Sequence, residues 1–157
     1  MPIVAIDAAL LDATTAAARD NPRRRRNHNF HPTDAYPAHR LLNAIEPDSY
    51  IRPHRHLDPN KAESIVAVRG RFGLAVFDDV GRVIQTTVFA PNTDCIGVDI
   101  GPGTWHALVA LEPGSVFFEA KAGPFLPLAD AERAAWAPEE GSELAPKYLR
   151  ELRKLFG

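Results

Sequence analysis

Between residues 40 and 122 the apolar positions fall in short runs separated by turn signals. Pro47-Asp48-Ser49, Asp58-Pro59-Asn60, Arg69-Gly70, Asp78-Asp79-Val80-Gly81, Pro91-Asn92, Gly101-Pro102-Gly103, Glu112-Pro113-Gly114 and Gly123-Pro124 punctuate the chain. The spacing predicts about eight strands, over 40–46, 50–56, 62–68, 72–77, 82–89, 95–100, 104–111 and 115–122. So many short strands with brief connections argue for an antiparallel sandwich or barrel, because parallel pairing would need crossover helices that the pattern lacks. The flanks read differently. Residues 8–19 are rich in Ala and Leu and predict a helix, capped by Asp7 or Asp12 and ended by Asn21-Pro22. After Pro127 two further helices are expected. One covers 129–136; the other starts at Pro146, with Tyr148, Leu149, Leu152, Leu155 and Phe156 as a stripe facing the barrel.

Composition narrows the reading. The 157 residues suit one domain with a sizeable core. A net charge of −2 gives no general pull toward nucleic acid or acidic membranes, so neither is an expected partner. No apolar run is long enough to span a bilayer, and the first residues lack a basic region typical of a leader. One cysteine, Cys95, makes no internal disulfide, and a cytoplasmic location is expected. Cys95 lies in an apolar segment with no histidine near it in sequence, which makes a poor nucleophile.

The candidate chemistry is concentrated in the segment 50–56. On a strand, residues two apart share a face. His54 and His56 would then point the same way, with Arg52 and Tyr50 beside them. Glu63 offers a carboxylate on the next segment, and His106 a third imidazole far downstream. Three imidazoles and a carboxylate describe an open transition-metal site. Arg40 and Lys121 would make the surrounding cavity cationic, suiting a carboxylate or phosphate, although internal pairing of Arg52 with Glu119 or Glu46 is an equal alternative. Glu119 is a candidate general base. The cluster Asn27-His28-Asn29-Phe30-His31 has no regular period and reads as a polar loop, with His31 and Asn29 offered to the site. The run Arg23-Arg24-Arg25-Arg26 reads as a solvated connector from which Arg26 turns inward.

His54-Arg55-His56, then Glu63, Gly70 and Pro102-Gly103-Thr104-Trp105-His106 resemble the two signature motifs of cupins. Arg26-Asn27-His28-Asn29-Phe30-His31, residues 40–44, Phe77-Asp78-Asp79 and Glu119-Ala120-Lys121-Ala122-Gly123-Pro124 bring the chain closer to the WbuC-type cupin-fold metalloproteins. The resemblance covers roughly residues 23–125. It implies an all-β double-stranded β-helix, a jelly-roll barrel, with an N-terminal helix and short C-terminal helices. It divides one cupin domain, 1–157, into an N-terminal helix and arm (1–38), a barrel (39–124) and a helical extension (125–157). It implies one divalent metal (zinc, iron, nickel or manganese) on His54, His56, Glu63 and His106. Cupins often pair as homodimers, and the resemblance leaves a homodimer possible here, although the sequence points to no interface.

Two functions compete. In the first, a metal-dependent isomerase or epimerase acts on a small anionic carbohydrate such as a sugar phosphate or nucleotide sugar, in surface-polysaccharide metabolism. Glu119 or His31 moves a proton, and Arg52, Arg40, Lys121, Tyr50, Asn29 and Arg26 bind substrate. An Fe(II) dioxygenase would use the same ligands. In the second, the barrel is a non-catalytic metal-dependent binding or sensing module.

Overall fold

The computed structural model describes residues 2–157. Helix α1, Ala8–Asp20, opens it, with the Asp7 side chain accepting from Leu10 N at its start. Its inward residues Leu11 and Ala18 pack on Leu42, Ala44 and Val116 of the sheet beneath. Eight strands follow: β1 Arg25–Asn29, β2 Ala38–Ile45, β3 Glu63–Arg69, β4 Phe72–Phe77, β5 Val83–Phe89, β6 Gly97–Ile100, β7 Trp105–Ala110 and β8 Ser115–Ala122. They form two antiparallel sheets, ordered β1-β2-β8-β3-β6 and β5-β4-β7. This is the expected jelly-roll barrel.

The apolar core between the sheets is set by alternation. Ile45, Ile65, Ala67 and Phe117 from the larger sheet meet Phe72, Leu74, Phe89 and Leu108 from the smaller. The opposite face of the smaller sheet carries Ala75, Phe77, Trp105, Ala107 and Val109, which pack on helix α2, Ala145–Lys154, through Leu149, Leu152 and Phe156. Tyr148 joins this packing, whereas Leu155 is exposed. Gly70 makes the turn from β3 to β4 at φ +77°, and a Cβ there would run into Ser115.

Three expectations are corrected. Residues 50–56 are not a strand: only His54 pairs, bridging to His106 and to Arg133. The eighth strand is instead β1, made of Arg25 to Asn29, part of the arginine run and polar cluster that read as connector and loop. The segment 129–136 forms only a 3-10 turn at Asp130–Glu132 within a strap, residues 124–142, lying across the barrel. Among the described residues no helix is long and apolar enough to cross a membrane.

Candidate metal centre

Along β2 the inward phase is His39, Leu41, Asn43 and Ile45; the outward phase, Leu42 and Ala44, meets α1. Register then aligns cross-strand rows inside the barrel. His39 lies beside Lys121, and Lys121 beside Glu63. In the next row Asn29, Leu41, Glu119 and Ile65 lie side by side. From the opposite side His106 enters on β7, and His54 is held against it by reciprocal backbone hydrogen bonds of 3.0 Å.

The result is a compact cluster. Ligand atoms of His54, Glu63 and His106 lie within 4.8 Å of one another. The ring of His54 is 4.6 Å from that of His106 and 5.4 Å from that of His56. His56 Nε2 contacts Glu63 Oε1, and His106 Nε2 is 3.6 Å from Glu63 Oε2. His54 Nδ1 lies 3.0 Å from Arg52 O, and His106 Nδ1 lies 2.9 Å from Thr104 O. A carbonyl only accepts, so each Nδ1 carries the hydrogen and each Nε2 is left with its lone pair. His106 Nε2 is buried without a hydrogen-bond partner, and the buried His56 Nε2 meets only the Glu63 carboxylate.

Electrostatics point the same way. Burial, with His106 beside it, pushes the His54 imidazole down to about 3, so it is neutral at ordinary pH. The Glu63 carboxylate, with Lys121 beside it across the strands, faces the His106 lone pair at 3.6 Å in a buried place. Lone pair against lone pair repels unless a cation stands between them. These residues fit a divalent ion with nitrogen and oxygen ligands, leaving the metal type open among zinc, iron, nickel and manganese.

Glu119 and Lys121 adjoin this group, Lys121 Nζ lying 3.1 Å from Glu119 Oε1. Burial, helped by the nearby Glu63 carboxylate, raises the Glu119 carboxyl, and Lys121 opposes the rise. Burial works against the Lys121 ammonium, but the Glu119 and Glu63 carboxylates more than offset it and raise its pKa. All these groups line one cavity of about 610 Å³, a size suited to a small organic ligand.

Other sequence-chosen residues distribute unevenly. Asn29 and Arg26 line the cavity, Arg26 at an exposed position. Arg52 does not enter it: its guanidinium donates twice to Ala134 O, at 3.0 and 2.7 Å. With residues 50–56 off the strand lattice, the alternation that placed Arg52 beside His54 does not hold. Tyr50 is buried in the α2-facing core and donates to Pro138 O at 2.8 Å. Arg40 points outward, over the Tyr36 ring. His31 is buried behind the cavity, stacked at 3.8 Å on His39 and accepting from Arg40 N. Asn27 lines the cavity with Asn29, as the polar cluster offered, while His39, Asn43 and Lys61 line it and were not singled out from sequence. For His39 and Asn43 a signal existed: two polar residues in the buried phase of an otherwise apolar strand.

A cupin-fold barrel with a His/Glu/His group able to hold a metal is the class that this fold and site define. Comparison with known proteins agrees on the fold. KdgF from Halomonas sp. is 17% identical, with a TM-score of 0.51 over 68% of this chain and 85% of that one. The capsular polysaccharide assembling protein CapF from Staphylococcus aureus is 19% identical, with a TM-score of 0.52 over 64% of this chain and 27% of its own. No curated protein matches the sequence. The chain belongs to DUF6016, a domain of unknown function, whose family model matches residues 6–89.

Proposed function

We propose that the protein is a metal-dependent enzyme for a small polyhydroxylated anion, of the isomerase or epimerase type, with His54, His56, Glu63 and His106 holding one divalent ion. The observation that carries this is that His54 and His106, whose Nδ1–H groups donate to backbone carbonyls and so leave Nε2 lone pairs, bring ligand atoms within 4.8 Å of one another and of the Glu63 carboxylate in a buried cavity. When bound, the metal polarises a substrate carbonyl and acidifies the neighbouring C–H. The chain's own groups do the rest. Lys121 meets the anionic end of the ligand. Glu119, its carboxyl raised above the ordinary carboxylate value by burial, accepts and returns the proton. The strap, through Phe125 and Leu126 at the cavity wall, limits water. The WbuC-type resemblance, and a fold shared with a protein named for capsular polysaccharide assembly, support a carbohydrate substrate.

The test is elemental analysis of the purified protein, with calorimetric binding of glucose 6-phosphate, UDP-glucose and gluconate to the metal-loaded form. One metal per chain and binding of at least one anion are expected, both lost in Glu63→Gln. A metal-free protein that binds none of the three after reconstitution overturns the reading. Hydrogen exchange from solvent deuterium into a bound sugar, lost in Glu119→Gln, then separates an enzyme from a binding module.

A further inference from the structure

The cavity extends well beyond the metal group. Among the described residues, two of the buried side-chain atoms without a hydrogen-bond partner converge on it: His106 Nε2 and Asn43 Oδ1. The nitrogen is explained by a cation. Asn43 is not, because it is nowhere near it. Asn43 pairs with Phe117, two residues before Glu119, on a strand two places from that of Glu63. Strand spacing and rise put its Cα about 16 Å from that of Glu63 along the sheet.

Asn43 does not stand alone at that end. Asn27 pairs directly with it from β1, and Asn29 follows on the same face of β1, both exposed at the rim of the cavity. All three line the cavity. An amide offers both a donor and an acceptor, and a row of amides matches vicinal hydroxyls, which offer the same. A buried carbonyl oxygen with no partner costs about 1–3 kcal/mol in desolvation unless a donor arrives. Hydrogen bonds within the chain do not supply that donor.

Resting on the function proposed above, we infer that Asn27, Asn29 and Asn43 form a hydroxyl-recognising subsite remote from the metal group. The ligand is then an elongated acidic saccharide of at least two units. Its anionic end lies at Lys121 and the metal group, and a second ring lies over the amide row, giving a hydroxyl hydrogen to Asn43 Oδ1. A single sugar acid spans only the first part of this distance.

Gluconate and its glycosylated forms lactobionate, maltobionate and cellobionate test this on the full-length, metal-loaded protein. All four share the same acidic end; the last three add a ring that differs in sugar or in linkage. At least one aldobionate is expected to bind two- to tenfold tighter than gluconate, the contribution of a net hydrogen bond. Asn43→Leu should erase that gain while leaving gluconate affinity and metal content unchanged; Asn43→Asp, which keeps an acceptor, should retain part of it. If gluconate binds and no aldobionate binds more tightly, the subsite is overturned and the metal-centre reading stands. If Asn43→Leu weakens gluconate and aldobionate equally, Asn43 is scaffold and the subsite is again overturned. Failure of gluconate and all aldobionates to bind overturns the subsite; the proposed function falls with it only if glucose 6-phosphate and UDP-glucose fail as well.

Discussion

Two polar regions of this molecule are built from similar residues and end in opposite states. Around the strap, each cationic side chain finds its partner within the chain. Arg23 and Arg25 both grip Glu140, with four contacts between 2.8 and 3.0 Å. Arg52 donates to Ala134 O; Arg55 donates to Ala131 O and lies 4.2 Å over the Trp105 ring. Inside the cavity His106 Nε2 and Asn43 Oδ1 have no such partner, and His56 Nε2 meets only the Glu63 carboxylate. A native chain leaves few buried polar atoms unpaired, so their concentration in one place indicates groups that await something from outside. Charge alone does not mark a site here; an unmet valence does.

The largest expected effect breaks the cavity side. His54→Ala should reduce metal content from about one per chain to a small fraction, with the circular dichroism spectrum kept, because the apolar core between the sheets does not use this ring. Unchanged metal content would place the cluster with the scaffold.

Next is the strap. Arg52→Met removes two charge-assisted hydrogen bonds worth about 2 kcal/mol in total, so Tm should fall by roughly 5 °C. Metal content and gluconate affinity should not move. A selective loss of binding would transfer Arg52 to the site.

Glu140→Gln should cost about 1 kcal/mol at pH 7, since the pair is part-exposed and screened. Here pH sharpens the comparison. Hydrogen bonds from Arg23 first, then Arg25, hold the Glu140 carboxyl down to about 2 from an ordinary 4.5. A depressed carboxyl adds stability that is complete above the unfolded value and is lost as pH falls through the folded one. The Tm gap between wild type and Glu140→Gln should therefore narrow from about pH 4.5 to about pH 2. A gap independent of pH would mean that packing, not the ion pair, holds the strap.

Smallest is Arg26→Ala. Arg26 sits at the cavity mouth and has no ion-pair partner among the described residues. Gluconate affinity should drop only a few-fold, with the difference fading at high salt, and Tm should stay constant. A change in Tm would move Arg26 to the paired class.

Much of this architecture is written locally. Alternation between turn signals specifies strands without any knowledge of partners, which is why β4 and β8 begin and end where the pattern puts them. The N-cap at Asp7 and the stop at Asn21-Pro22 are equally local. His54, His56, Glu63 and His106 were legible as a set from residue type and the cupin-like motifs, and the fold brings them to one place without the strand alternation expected of residues 50–56.

What the tertiary structure alone decided are matters of pairing. The arginine run and its asparagines have no apolar alternation, yet Arg25 to Asn29 become a strand because β2 offers an open edge for their backbone. Residues 50–56 have a strand-like pattern but lose the lattice. Arg55 N donates to Glu132 O, and His54 pairs with His106, so the backbone follows the strap and β7 rather than a neighbouring strand. That choice turns Arg52 away from the metal group. It also leaves the far wall of the cavity to Asn27, Asn29 and Asn43, whose meeting depends on register between distant segments. Local pattern determines which face of a strand is buried; only the docking of strands and strap determines which buried polar groups are left without a partner.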